Sequence, residues 1–395
     1  MSRHHTQEVP RLSDCTVARG DRWIYVAGCN VAPRSTDVGR IDCEVDDLRR
    51  LLDRGARVAI LTHQGSAADG SAVPVPHVAA RLSDRLGRTV AYHPTSTGPA
   101  ARARAAALHP GDAVVLGNVR LDPREQQGSG ELADEYAQLG DAVAVGAFSR
   151  AHRRDASNHA LLTRLPSHAA TALLAEVEAL APWAAGDPGS VAILGGVKRE
   201  KTTIALAGFV ETHALVLPGG AVLHALLEAA GNDIGDSSLG EDPSSARAVA
   251  RDVLARRADR ILLPRRVVTR ELAGAGVQER RVVDGVPAGW AIVDHVVPDE
   301  ALTRLRELGR GGGRALLAGT PGLVTAGHVT ATRAYAAALE WFGDRAMLLG
   351  GDTVQDVPFA GRRSTGGGSA LRFLVDGELP VLQVLALRQQ RAVAS

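Results

Sequence analysis

Aromatic residues are scarce here, at 3% of positions, and no apolar run approaches the ~20 residues that a membrane-spanning helix needs. The second absence argues against a membrane partner. The first, with the enrichment in Ala, Arg, Gly and Val, reads as a coding bias and excludes nothing physical. Cysteine is nearly absent. Cys15, Cys29 and Cys43 are odd in number and too far apart for a Cys-x-x-Cys metal or redox motif, so free thiols in a reducing compartment are expected. An excess of either charge is missing too. A formal net charge of +1 gives no reason to expect nucleic acid or an anionic membrane, and any basic site must be local. The opening MSRHHTQEVPRLSD contains no apolar core of a secretory signal, so a soluble, cytoplasmic chain is expected.

What is present is ordinary for a globular protein: 45% apolar and 23% charged residues. With 395 residues, two domains of about 150–200 residues are the natural expectation. WIYVAGC, DDLRRLLDRG and ARVAILTH read as strand, helix and strand; HVAARLSDRLG, TVAYH, GDAVVLGNV, LADEYAQLG and DAVAVGAF keep the rhythm. Apolar strands separated by helices specify a parallel sheet covered on both faces. Gly55 and Gly87 mark helix ends. LLAEVEALAPWAAGDPGS is the candidate hinge, after which SVAILGG, TTIALAGFVE, HALVLPGG, DRILLP, RALLAG and AMLLGGD restart the pattern. The expected fold is therefore α/β: two Rossmann-like three-layer α/β/α domains with parallel sheets joined by a hinge. Ligands are expected at the carboxyl ends of the strands.

Glycine clusters directly after strands are the most informative feature: Gly195 and Gly196 before Lys198 and Lys201, Gly219 and Gly220, Gly319 and Gly322, Gly350 and Gly351 before Asp352 and Thr353, and Gly366 to Gly368. Such glycines admit a ligand close to the backbone, and helix-start N–H groups bind phosphate oxygens. A single cluster is usually steric; five in one half, two beside Lys or Asp, point to phosphate. GGVKREKTT is not a P-loop, because no glycine precedes Lys201. Asp352 is either a magnesium–nucleotide ligand or a helix N-cap.

In order along the chain, CNVAP with GRI is similar to DFNVP…RI, THQGSA to SHLGRP, LGNVRL to LENLRF, and VGAFSRAHRRDAS to NDAFGTAHRAHAS. ILGGVK, LPGGAVLHAL, GGDT and STGGGSALRFL are similar to ILGGAK, IGGGMAFTFL, GGDT and STGGGASLEFL. These collinear strings, spanning nearly the whole chain, resemble the phosphoglycerate kinase family. The resemblance implies a monomeric kinase that moves a phosphoryl group between ATP, with Mg2+, and a small-molecule carboxylic acid, giving ADP and an acyl phosphate. It implies a carboxylate-binding domain over 1–185, a nucleotide-binding domain over 186–370, and a 371–395 segment packing back near the hinge and the N-terminal domain.

Carried over by position, the resemblance assigns Gly195, Gly196, Lys198, Lys201, Gly219, Gly220, Gly319, Gly351, Asp352, Thr353, Gly366 and Gly367 to the nucleotide, with Asp352 also on the metal. Asn30, Arg40, His63, Arg120, His152 and Arg153 fall to the acid, and Arg40, Lys198, Lys201, Gly367 and Gly368 to catalysis. Several positions depart from the family: Ala318 and Thr325 replace the ribose-contacting asparagine and glutamate, Gly28 an aspartate that holds the substrate hydroxyl, Val26 and Ser66 arginines, and Asp155 a histidine. These changes lead to the expectation of an acceptor other than 3-phosphoglycerate, in a biosynthetic pathway, with Asp155 repelling a dianion. The alternatives are a glycolytic phosphoglycerate kinase or an inactive nucleotide-binding paralogue.

Overall fold

The computed structural model describes residues 9–35, 39–67, 70–184, 189–350, 357–364 and 366–394. The chain divides into two compact units, Met1–Ala179 with Glu378–Ser395, and Leu180–Gly377.

Unit 1 is built on six parallel strands: β1 (Arg22–Ala27), β2 (Arg57–Thr62), β3 (Val90–His93), β4 (Ala113–Leu116), β5 (Ala142–Val145) and β6 (Ser167–Ala169), in the order β3-β4-β2-β1-β5-β6. β1 and β2 are buried along five successive residues and β4 along its whole length, so both faces of the sheet are covered. Alternation sorts the side chains. Trp23, Tyr25 and Ala27 share one core with Val58, Ile60 and Val115 and with Ile41, Val45 and Leu48 of helix α1 (Gly39–Asp53). Gly55 and Gly87 lie in the left-handed region, at φ 79° and 67°, where the chain leaves a helix.

Unit 2 carries five parallel strands, β7 (Val191–Leu194), β8 (Leu215–Pro218), β12 (Ala315–Ala318), β13 (Ala346–Leu349) and β14 (Arg362–Ser364), in the order β14-β13-β12-β7-β8. It also has an antiparallel sheet, β10-β9-β11, from β9 (Arg266–Glu271), β10 (Val277–Arg281) and β11 (Trp290–His295). No apolar rhythm marks that ribbon, because β10 is an edge strand whose VQERR faces mostly solvent. DRILLP, expected as a strand, contributes only an isolated bridge from Ile261 to Val216.

The helix Gly367–Asp376 belongs to unit 2, whereas the helix Pro380–Ala394 belongs to unit 1. There Val381 N–H donates to the Ala151 carbonyl at 3.3 Å and Arg388 Nη1 to the Leu162 carbonyl at 3.1 Å. The part of the C-terminal segment that joins unit 1 thus starts at Glu378, and the unit boundary falls after Ala179. Among the described residues no helix is long and apolar enough to cross a membrane.

Candidate active site

β1 leads to β2 on one side and β5 to β6 on the other, so the chain leaves the carboxyl ends of these adjacent strands in opposite directions. Such a switch point is where open parallel sheets bind ligands. The segment after β1 is pinned there. Asn30 accepts the Gly65 N–H on Oδ1 at 3.1 Å, and Arg40 Nη1 donates to the Asn30 carbonyl at 3.1 Å. His63, one residue beyond β2, is 1% exposed. Burial holds its pKa well below the usual histidine range, and the charges of Arg150, Arg120, Arg40 and Arg153 push the same way. His63 is therefore a neutral ring among arginines. The pKa of Arg120 is lowered to about 10 by burial and then by Arg150 and Arg153, although its guanidinium also donates to the Gly65 carbonyl.

The structure thus gathers Arg40, His63, Arg120 and Arg153 into one electrostatic neighbourhood. His152 is half-buried beside Arg153. His63 Nδ1, Arg120 Nε and Ser149 Oγ are buried with no hydrogen-bond partner among the described residues. Buried polar atoms are seldom left so, and each such group is a candidate contact for a ligand or water.

Arg150 is missed by sequence reasoning, although it stands where the similar string has threonine. It is 1% exposed; Nη1 reaches Glu125 Oε1 at 2.9 Å and Asp155 Oδ2 at 3.3 Å, and Nη2 donates to Ser157 Oγ at 2.9 Å. This corrects the expected repulsion by Asp155. Its charge is met inside the fold by Arg150, and the signal was the paired change five residues apart. Ser66 is half-buried, its N–H donating to Ser71 Oγ at 2.9 Å, and Val26 lies fully inside the sheet. Cys29 is fully buried, with its thiol pKa pushed up mainly by burial, so it packs rather than reacts. Asn118, also missed, accepts from Gln64 N–H and donates to the Gln64 and Val73 carbonyls, which makes it a loop clamp.

In unit 2 the ends of β7, β8 and β12 meet backbone against backbone. A Cβ on Gly195 would lie 2.4 Å from the Thr320 carbonyl, one on Gly219 2.6 Å from Pro321 Cα, and one on Gly319 2.1 Å from the Gly195 oxygen. Their amides are engaged: Gly195 N–H donates to Ala318, Gly196 to Thr320, Gly219 to Leu194 and Gly220 to Pro321, at 2.6–3.0 Å. These glycines shape a closely packed floor instead of offering free donors. Lys198 is exposed beyond them. Lys201 is 6% exposed and opens a π-helical turn, Lys201–Leu206, a geometry frequent at functional sites. Gly366 to Gly368 stand at the start of the helix Gly367–Asp376, where Gly366 N–H donates to Ser364 Oγ at 3.2 Å and Ser369 N–H to the Gly366 carbonyl at 3.1 Å. Among the described residues, nothing lies within 4 Å of a Cβ built on Gly367, at φ +48°. Ala318 is buried and Thr325 exposed. Gly351, Asp352 and Thr353 lie outside the described residues.

The sequence profile described as phosphoglycerate kinase matches residues 24–377. The chain belongs to the phosphoglycerate kinase family. It is 31% identical over 364 residues to the phosphoglycerate kinase of Roseiflexus castenholzii, covering 89% of this chain and 91% of that protein. It is likewise 31% identical to that of Deinococcus radiodurans, with 89% and 87% covered. Phosphoglycerate kinase structures from Coxiella burnetii (TM-score 0.72, 24% identity) and Pyrococcus horikoshii (TM-score 0.77, 22% identity) each cover 96% of this chain and 99% of theirs, and share the fold. As a phosphoglycerate kinase relative the chain is a phosphotransferase with a carboxyl group as acceptor, in a family that uses ATP and Mg2+. A kinase of this family asks little covalent work of its protein. Positioning and fixed positive charge are what phosphoryl transfer requires.

Proposed function

We propose that this protein transfers a phosphoryl group reversibly between MgATP and the carboxylate of 3-phosphoglycerate, holding the acid on unit 1 and the nucleotide on unit 2. The observation carrying this reading is neutral, buried His63 amid Arg40, Arg120, Arg150 and Arg153, with His63 Nδ1 and Arg120 Nε lacking hydrogen-bond partners among the described residues. With Asp155 and Glu125 both held by Arg150, the remaining arginines present net positive charge to an anionic acid. Relatives named phosphoglycerate kinase over most of their length support the same substrate.

In the forward step a carboxylate oxygen of the acid bonds to the γ-phosphorus, the bond from that phosphorus to the bridging oxygen breaks, and ADP departs with the electron pair. Arg40 compensates charge at the carboxylate; Arg120, Arg153, His63, His152 and Asn30 hold the rest of the acid. Lys198, Lys201 and the amides at Gly367 and Gly368 face the phosphates, and Gly195, Gly196, Gly219, Gly220, Gly319 and Gly366 shape their seat. Asp352, with Gly351 and Thr353, is assigned to the magnesium of the nucleotide. The acid and the γ-phosphate must meet with water excluded, since water competes as acceptor.

A second reading, an acceptor other than 3-phosphoglycerate, is favoured by Gly28, Val26 and Ser66, because each lost charge-assisted contact removes about 1.5–3 kcal/mol of binding. One experiment separates the two: kcat/KM for 3-phosphoglycerate against a panel of carboxylic acids, with hydroxylamine trapping the acyl phosphate. Preference for 3-phosphoglycerate at ordinary enzyme rates supports the first reading; preference for another acid by tenfold or more supports the second.

A further inference from the structure

Between the carboxyl ends of β1 and β5 the chain places two glycines, Gly28 after β1 and Gly146 after β5. The space that side chains there would fill is taken by the carboxylate of Glu44, from the first turns of α1. A Cβ on Gly146 would lie 1.9 Å from Glu44 Oε2, and a Cβ on Gly28 3.0 Å from Oε1. Glu44 is 0% exposed; Oε1 accepts the Gly28 N–H at 2.6 Å and Oε2 accepts the Tyr25 hydroxyl at 2.6 Å. No cation pairs with it among the described residues. Arg40 sits one turn earlier on the same helix and holds the Asn30 carbonyl. α1 therefore grips the segment Gly28–Asn30 at both ends, by its first amide through Glu44 and by its last carbonyl through Arg40. Asn30 in turn holds Gly65, whose carbonyl receives Arg120.

A plug serving stability alone would be apolar, because a buried carboxylate without a cation costs folding free energy that a methionine of similar size does not. We infer that Glu44 is a positioning residue for the acceptor: its carboxylate fixes the Gly28 amide, and through the Gly28–Asn30 segment it sets Asn30 and Arg40 against the acid. This rests on the proposal that unit 1 holds the acid. Glu44 does not touch substrate. Burial, its first cause of shift, raises its pKa to about 7, and Asp47 pushes the same way, while the hydrogen bonds from Tyr25 and Gly28 oppose both. Tyr25 and Cys29 face it from β1 and the segment after it, and Cys43 and Asp47 from α1. The grip is thus strongest when the carboxylate is ionised.

The test uses Glu44→Met, Glu44→Gln and Gly28→Asp. KM for 3-phosphoglycerate and for ATP is measured from pH 5.5 to 8.5, and Gly28 and Asn30 amide resonances are followed by NMR over the same range. Glu44→Met is expected to fold at least as well as the parent, to raise the acid KM tenfold or more, and to leave the ATP KM within twofold. Gly28→Asp sets two carboxylates side by side and should weaken acid binding at least as much. The Gly28 amide should titrate with a midpoint near 7 in the parent and be flat in Glu44→Gln. An acid KM unchanged in Glu44→Met, or a Gly28 titration that persists in Glu44→Gln, overturns the inference. Absence of turnover of 3-phosphoglycerate by the parent overturns the proposed function instead, and the amide titration still decides the grip of Glu44 on Gly28.

Discussion

Replacing Arg150 by methionine removes the guanidinium that bonds directly to two buried carboxylates. The guanidinium is 1% exposed, and the side chains of Glu125 and Asp155 are 0% and 4% exposed, so solvent cannot take over the lost contacts. Breaking a buried pair by deleting one partner costs about 3–5 kcal/mol, since the remaining charge is left desolvated. Two features bring the expected value to the lower end, about 3 kcal/mol. Burial already raises the Glu125 pKa, so that carboxyl can take up a proton, and Ser157 N–H and Oγ still donate to it. The loss should shrink as pH falls and the Glu125 carboxyl takes up a proton. Trp23 is the single tryptophan of unit 1, with Trp183, Trp290 and Trp341 in unit 2. Urea unfolding followed by fluorescence, in a background where those three are phenylalanine, reports unit 1 alone. The double variant Arg150→Met with Glu125→Gln should regain 1 kcal/mol or more, in line with roughly 0.5–3 kcal/mol for coupling between contacting residues. A loss below about 1 kcal/mol at pH 7.5, unchanged at pH 5.5, would refute the network as a charge-balancing device. The acid KM should rise too, since Asp155 would then act uncompensated on its neighbours.

The carboxyl of Glu44 has its pKa raised from 4.5 to about 7 in the folded chain, so between those values the folded state binds more protons than the unfolded one and stability falls as pH rises. That decline amounts to roughly 3 kcal/mol for unit 1 and should flatten in Glu44→Gln, as read by urea midpoints at pH 5 and 7.5. Gly219→Ala puts a methyl 2.6 Å from Pro321 and should destabilise unit 2 by about 1–3 kcal/mol or more in thermal unfolding, with a raised ATP KM. Lys201→Ala should lower kcat by about 10²–10³ if it stabilises transferring charge, and unchanged kcat in a coupled ADP assay would remove it from the mechanism. Because His63 is held neutral, acid KM should show no inflection near pH 6.5 from this group; an inflection that vanishes in His63→Gln would contradict the burial.

Strands flanked by glycine were legible because apolar runs and stops are local signals, and β1, β2, β4, β5, β7, β8, β12 and β13 all sit on them. The antiparallel ribbon was not, since β10 shows its residues to water and carries no period. Three-residue strands such as β6 and β14 are too short to have one. At the site, the resemblance named Arg40, His63, Arg120 and Arg153 by their place in its strings but not what surrounds them. Asp155 looks like a stray anion in the sequence because its partner Arg150 resembles any other surface arginine until burial is known. Glu44 was invisible for the same reason: a carboxylate in DCEVDD reads as a solvated helix face, yet it is wholly enclosed. The glycines after β7, β8 and β12 were read for close backbone approach and for their amides; the structure shows the first between backbone segments, where a Cβ would clash.

The helix Pro380–Ala394 completes unit 1, yet almost 200 residues of unit 2, Leu180–Gly377, are synthesised before it. During translation the first unit must wait, with the surfaces around Ala151 and Leu162 uncovered, until that helix leaves the ribosome. The later-made unit has all of its chain first. Birth order and closing order are therefore reversed for these two units, and deleting that helix is a lesion of the unit made first.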